Sequence, residues 1–298
     1  RGSLAQLGDL LKPRREAVDG PVVYFVDHFF RDHELIGRLP MEKGDQLHFV
    51  DSSSEPEVTR IDAFKEAVSA ADSRTPCCVV GIGGGNALDT AKAVANLLTN
   101  PGKAEDYQGW ELVKNPAVYK IGIPTLSGTG SECSRTCVLT NIPKNLKLGM
   151  NSDYTVYDQL LLDPDLLATV PRDQYFYTGI DTFMHCVESL QGSYRNAIID
   201  AFSVRAVQLC EEIFLSDDMM SEENREKMMI ASYIGGMAAG NVGVIHPFSA
   251  GLGVVLHVAH GLGNCLALNV LGDIYPKEYK QFRTMIERQG VNLPTGIC

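Results

Sequence analysis

Asp181 and His185 stand four residues apart in "GIDTFMHCVES" (Gly179 to Ser189), a spacing that puts carboxylate and imidazole on one face of a helix. Further along, His246, His257 and His260 share one segment, "VIHPFSAGLGVVLHVAHGLGN". A single buried histidine is usually a satisfied core residue. A carboxylate with two or three imidazoles in charge-poor surroundings asks for more, because an uncompensated carboxylate is expensive to bury. A divalent cation removes that cost. One oxygen with neutral nitrogens suits Zn²⁺ or Fe²⁺ better than Mg²⁺ or Ca²⁺, which prefer oxygen shells. On spacing alone, core histidines held by ordinary hydrogen bonds stay open as the alternative.

A second constellation lies earlier. "VVGIGGGNALDTAKA" (Val79 to Ala93) reads as strand, glycine turn and helix, in which small residues let backbone N–H groups approach a ligand and the helix N-terminus favours negative charge. That is a cradle for a diphosphate, or else a purely structural tight turn. Asn86 stands where G-x-G-x-x-G needs glycine or alanine, and no G-x-x-x-x-G-K-[ST] occurs. "PTLSGTGSE" (Pro124 to Glu132) again follows a strand and is placed to close over the same ligand. Asp27 ends "PVVYFVD", where an acid accepts hydrogen bonds from a ribose or caps the next turn.

The elements that must position these groups change style along the 298 residues. "PVVYFVD", "PCCVVGI" and "VYKIGIP" are short β-rich runs. Helical patterns such as "NALDTAKAVANLL" follow the first two. This alternation predicts an α/β domain with a mostly parallel sheet. After "LLLDPDLLATVP" helical patterns dominate, so the expected division is an α/β domain over 1–160 and an all-helical domain over 161–298. Met228 to Gly272 carries no Asp, Glu, Lys or Arg. Its histidines, asparagines, proline and glycines suit helices packed around something polar better than helices facing lipid.

Twenty-six basic against thirty-seven acidic residues give a net charge of -11, which repels phosphate backbones and anionic membranes. Neither nucleic acid nor a membrane is an expected partner. The eight cysteines are scattered without a C-x-x-C pair, the pattern of reduced thiols in a cytoplasmic protein.

"GIGGGNALDTAKA", "PTLSGTGSE", "LLDPDLLATVP", "GIDTFMHCVES" and "HVAHGLGN" together resemble, in order and spacing, the iron-containing alcohol dehydrogenase family. The resemblance implies a Rossmann-like dinucleotide-binding domain, a helical domain and a divalent metal between them. It carries the metal ligands onto Asp181, His185, His246 and His260. Cofactor contacts fall on Asp27, Gly84, Gly85, Asp89, Thr125, Leu126 and Lys147, with NAD favoured over NADP by the acid at Asp27. The implied reaction is oxidation of an alcohol to an aldehyde, and the implied partners are a small-molecule alcohol or sugar acid and, as an assembly, a homodimer. Within the family the overall look is nearest the type that oxidises the terminal (C8) hydroxyl of 3-deoxy-D-manno-octulosonate (Kdo). Further helices are expected beyond Cys298.

Two departures bear on the chemistry. Ala250 stands where many members place a histidine four residues beyond His246, and Leu126 replaces the second threonine of a "PTT" motif. With Ala250 in place, His257 is the nearest candidate to pass a proton to solvent, against a packing role. Three other readings stand beside the dehydrogenase: an oxidase using O₂, a lyase of the dehydroquinate synthase kind with one glutamate and two histidine ligands, and a nucleotide-binding protein whose metal is structural.

Overall fold

In Val22–Asp27 (β1) every residue but the last is buried, and Cys78–Gly83 (β3) is buried throughout, as strands covered on both faces must be. The computed structural model describes residues 1–239 and 243–295. Around β1 and β3 it places Gln46–Val50 (β2), Lys120–Pro124 (β5) and Gln159–Leu160 (β8) in one parallel sheet of order β2-β1-β3-β5-β8. The chain leaves β1 towards β2 on one side and continues from β3 on the other. The crevice at the carboxyl ends of β1 and β3 is therefore the switch point where such sheets bind ligands.

Leu7–Ala17 (α1), Val58–Ala71 (α2) and Gly85–Leu97 (α3) complete this layer. In α3 everything from Ala87 to Leu97 is buried, including Lys92. The Lys92 ammonium is met by the carbonyls of Ser131 at 2.8 Å and of Thr136, with Asp89 at 3.3 Å. A smaller sheet joins Gly109–Trp110 (β4), Thr136–Asn141 (β6) and Leu146–Asn151 (β7). β6 and β7 form an antiparallel hairpin that turns at Asn145, which takes the left-handed conformation at φ 48°. The expected mostly parallel, Rossmann-like sheet is observed, and the hairpin adds to it.

Among the described residues the second part is helical: Arg172–Gln191 (α4), Ala197–Phe214 (α5), Glu222–Ala238 (α6), Ile245–Leu256 (α7), His260–Val270 (α8) and Pro276–Gln289 (α9). Asn196 caps α5 through the amides of Ile198 and Ile199, and Ser221 caps α6 through that of Asn224. α4 runs through the centre, buried at nearly every position from Tyr175 to Ser189, with Phe176 and Phe214 packed edge to face at 5.0 Å. No helix among the described residues is long and apolar enough to cross a membrane; α7 and α8 are bent by 120° at the break between them. α7 is less buried than its composition suggests, leaving Phe248 44 % and Val255 73 % exposed while burying His246 and Ser249.

The division falls between Asp163 and Pro164, with one exchange: Leu126–Gly130 groups with the helices. The reason lies at Gly128, with φ +146°. A Cβ there would stand 1.9 Å from the Thr178 carbonyl oxygen. The Gly128 amide donates to the Ser232 hydroxyl at 2.8 Å, and its carbonyl accepts the Thr182 hydroxyl at 2.8 Å. The glycines of "PTLSGTGSE", read from sequence as closing over a ligand, here let the loop lie against α4 and α6.

Candidate metal and cofactor sites

Four polar groups converge on one oxygen in the middle of α4. Asp181 Oδ1 accepts the Asn264 side-chain amide at 2.6 Å and faces His246 Nε2 at 3.2 Å, His260 Nε2 at 3.6 Å and His185 Nδ1 at 3.7 Å. The i, i+4 spacing within α4 brings in His185; α7 delivers His246, and the first residue of α8 is His260. One ligand atom each from Asp181, His246 and His260 lies within 4.8 Å of the others. His185 stacks on His246, ring centroids 4.1 Å apart and 16° from parallel.

These groups suit a cation. Asp181 is fully buried, yet its Oδ2 has no hydrogen-bond partner, and neither has His185 Nδ1. Such orphaned polar atoms are costly unless something else satisfies them. Around a metal with bonds of about 2.1 Å, neighbouring tetrahedral ligands lie roughly 3.4 Å apart, close to the 3.2 to 3.7 Å found here. Asp181 and Glu188 side chains are fully buried, whereas His185 is 14 % and His260 26 % exposed, so the site meets solvent along those two rings.

The charges are balanced accordingly. Burial would raise the Asp181 carboxyl, but the imidazoles of His185, His260 and His246 hold it well below the usual carboxylate range. Burial also opposes charge on His246, yet its bonds to Asp181 and Glu188 prevail and raise it to about 9. His185, pushed down by burial and by its neighbour His246, falls to about 4. Two buried carboxylates thus favour positive charge between them, at the place where the geometry suits a metal ion.

Three residues of this centre were not singled out from sequence. Glu188 lies in the quoted helix motif, at i+7 from Asp181, and its Oε2 meets His246 Nδ1 at 2.6 Å. Ser249 Oγ lies 3.2 Å from His260 Nδ1, and Asn264 holds Asp181 as above. The i, i+4, i+7 stripe of Asp181, His185 and Glu188 is the one signal that marks Glu188 in advance.

The cofactor residues divide. Gly84 is the N-cap of α3 without a side-chain cap, and the helix starts at Gly85 with no acid in its first turn. Its first amides are therefore open to an anion. Gly83, φ +153°, brings strand β3 close to β1: a Cβ there would lie 2.9 Å from that of Asp27. Asp27 accepts the Phe29 amide at 3.0 Å and the Ser52 hydroxyl at 2.8 Å, so it caps the short turn after β1. Thr125 continues from β5, its amide bonded to the Gly83 carbonyl at 3.0 Å. Leu126 groups with the helical unit. Lys147, on β7, pairs with Glu55 at 3.0 Å. Both carboxylate oxygens of Asp89 are engaged within the fold, by the Ser131 hydroxyl and the Val138 amide. His257 is exposed and ends α7 in the left-handed conformation, φ 55°, with its amide on the Gly253 carbonyl.

The chain is similar to known proteins. A family model described as iron-containing alcohol dehydrogenase matches residues 1–164, and the C-terminal model of the Fe-containing alcohol dehydrogenase family matches 175–291. A sulfoacetaldehyde reductase of Bilophila wadsworthia is 34 % identical over 72 % of this chain and 56 % of its own length. An NAD-dependent methanol dehydrogenase of Bacillus methanolicus is 32 % identical over 68 % of this chain and 53 % of its own. The chain thus spans little more than half the length of these relatives. In fold it is similar to the sulfoacetaldehyde reductase from Bifidobacterium kashiwanohense solved in complex with NAD⁺, with TM-score 0.81, 24 % identity and coverage of 98 % of this chain and 84 % of that one.

Proposed function

Because the chain belongs to the iron-containing alcohol dehydrogenase family, we propose that it is a metal-dependent oxidoreductase that interconverts an alcohol and its aldehyde with NAD as hydride carrier. The observation that carries this reading is the buried Asp181 carboxylate, whose Oδ1 faces three imidazoles while its Oδ2 has no hydrogen-bond partner. Asp181, His246 and His260 hold a divalent cation, Fe²⁺ or Zn²⁺, with His185 completing the set. When bound, the cation polarises the substrate oxygen and NAD accepts the hydride.

The chain's own groups do the rest. Asn264 fixes the rotamer of Asp181 by its bond to Oδ1. Full burial of Asp181 and Glu188 keeps water from their charges and strengthens them. The uncapped amides at Gly84 and Gly85 receive a diphosphate, and Asp27, steadied by Ser52, accepts a ribose hydroxyl. Thr125 and Lys147 extend that contact. His257, exposed three residues before His260, takes the substrate proton to solvent. A His257→Ala protein with an unaltered pH profile of kcat would remove it from that role.

For the substrate, a polyhydroxylated primary alcohol such as the C8 hydroxyl of Kdo is supported by Ala250, a methyl on the α7 face that carries His246. The names of the relatives, sulfoacetaldehyde reductase and methanol dehydrogenase, support a small alcohol or aldehyde. The deciding experiment is anaerobic reconstitution of the metal-free protein with Fe²⁺ or Zn²⁺, followed by Kdo and short alcohols offered with NAD⁺, NADP⁺ or O₂. Metal-dependent NADH formation is expected. Turnover with O₂ alone, or metal binding without any turnover, would replace this reading by an oxidase or a structural metal.

A further inference from the structure

Asp181, His185 and Glu188 occupy positions i, i+4 and i+7 of α4, one stripe of the helix. Two members of the stripe face the cation-binding group. The third turns to what stands behind it. Glu188 Oε2 lies 2.6 Å from His246 Nδ1, while Oε1 accepts the Ile245 amide at 2.6 Å and the Tyr275 hydroxyl at 3.1 Å. The Gly243 amide also donates to this carboxylate, and the Tyr275 oxygen accepts the Val244 amide at 3.3 Å. Four donors therefore converge on a fully buried carboxylate, which leaves it little capacity for a metal.

The consequence falls on His246. An imidazole binds a metal through the nitrogen that carries a lone pair, and the bond made by its other nitrogen decides which one that is. With Nδ1–H committed to Glu188, the ring presents Nε2, the atom 3.2 Å from Asp181 Oδ1. The same device recurs at His260. Ser249 donates its hydroxyl to the His260 carbonyl at 3.0 Å, and its oxygen stands 3.2 Å from His260 Nδ1, leaving Nε2 towards Asp181.

We propose that Glu188 is the positioning residue of the metal centre: it orients the His246 ring for coordination through Nε2 and, through Ile245 and Tyr275, ties the start of α7 to α4. The inference rests on the reading that Asp181, His246 and His260 hold a divalent cation. It assigns Glu188 a role distinct from that of a ligand. A glutamine side chain at this position could still accept from His246, but its amide nitrogen would then face the Ile245 N–H, donor against donor. The conservative Glu188→Gln change should therefore loosen the ring without removing a ligand.

The test is metal affinity of the full chain, measured by chelator competition with Zn²⁺, together with the visible spectrum of the Co²⁺-loaded protein and circular dichroism of each variant. Glu188→Gln should bind Zn²⁺ about 10- to 100-fold more weakly, reach one metal per chain at saturation, and shift the Co²⁺ bands. Tyr275→Phe, which touches only the far oxygen of Glu188, should leave those bands in place. Unchanged affinity and spectrum in Glu188→Gln overturn the proposal. A folded Glu188→Gln protein that takes up no metal at any concentration also overturns it, because Glu188 would then be a ligand. If the glutamine variant does not fold, Glu188→Asp decides by the same measurements, since it keeps the charge and draws the carboxylate back from His246. Failure of the unmodified protein to bind metal would instead refute the reading beneath.

Discussion

Asp89 and Ser131 are joined by a short hydrogen bond from the serine hydroxyl to Oδ1, while Oδ2 of the same carboxylate takes the Val138 amide at 2.9 Å. The acid of "GGGNALDTAKA" therefore ties α3 to the segment leading into β6. Beside it Lys92 is wholly buried.

Asp89→Ala is accordingly expected to act on stability. It strips the carboxylate from a buried lysine and leaves the Val138 amide and Ser131 hydroxyl without their acceptor, a loss of about 3 to 5 kcal/mol for breaking such a buried pair. Urea unfolding reads the loss, and NAD titration well below the transition reads the cofactor. An unmoved midpoint with a tenfold weaker NAD affinity would return Asp89 to the cofactor site.

A second expectation concerns acid. The Asp45 side chain is almost fully buried and receives Arg15 through Nη1 at 2.9 Å and Nη2 at 2.6 Å, with the amides of Val22 and Glu42 completing its shell. Burial would raise its carboxyl, but Arg15 and the two amides outweigh burial and hold it below the ordinary value. A depressed folded value means that the unfolded chain takes up the proton first as pH falls. The stabilisation is complete above the unfolded value of about 3.9 and fades as pH drops through the folded one. Asp45→Asn should therefore cost about 2 to 3 kcal/mol at pH 7. Denaturant midpoints should converge with those of the unmodified protein in acid; a constant gap down to about pH 2 would refute the coupling.

Which parts of this were legible beforehand follows from the range of each signal. Asp181 and His185 announce themselves because a helix repeats every few residues and both lie on α4. Glu188 lies on the same stripe, but its partner His246 is 58 residues away, and no local period reveals a tertiary bond. Gly128 shows the converse limit. Its sequence setting demands something close to the backbone without saying what, and the answer is the Thr178 carbonyl of α4. The parallel sheet was readable from the buried runs at β1 and β3. The β6 to β7 hairpin was not, since its turn at Asn145 uses a left-handed residue other than glycine inside a lysine- and asparagine-rich stretch.

Asp27 carries the expectation for cofactor choice. Ser52 and the Phe29 amide fix its carboxylate at the end of β1, where on the proposed reading it would accept a ribose diol and repel a 2′-phosphate. Asp27→Ala should narrow the preference for NAD over NADP by at least tenfold, read as the ratio of the two dissociation constants. Tighter binding of NADP than NAD by the unmodified protein would end the assignment.

The last expectation starts at Ala250, four residues after His246 on α7 and half-buried. Positions i and i+4 of a helix share a face, so the methyl of Ala250 stands on the side that carries the His246 ring. Two bulky side chains that could fill the room beside it, Phe248 and His257, are not buried. Phe248 is 44 % exposed, and His257 is an exposed residue at the end of the helix. On the reading that Ala250 makes room beside the metal site, that room would fall to substrate or water. A long polyol would then place hydroxyl groups there and gain binding energy usable in the transition state, whereas a short alcohol would leave water behind. Rebuilding an imidazole by Ala250→His should lower kcat/KM for Kdo-like polyols about tenfold or more, and change it less than threefold for short primary alcohols, the difference corresponding to roughly 1 kcal/mol of transition-state binding. Zn²⁺ affinity, measured alongside, should stay within a few-fold, since His246 keeps its bond to Glu188. An equal loss for both alcohol classes, or a larger one for the short alcohols, would show that the space beside Ala250 does not serve the substrate.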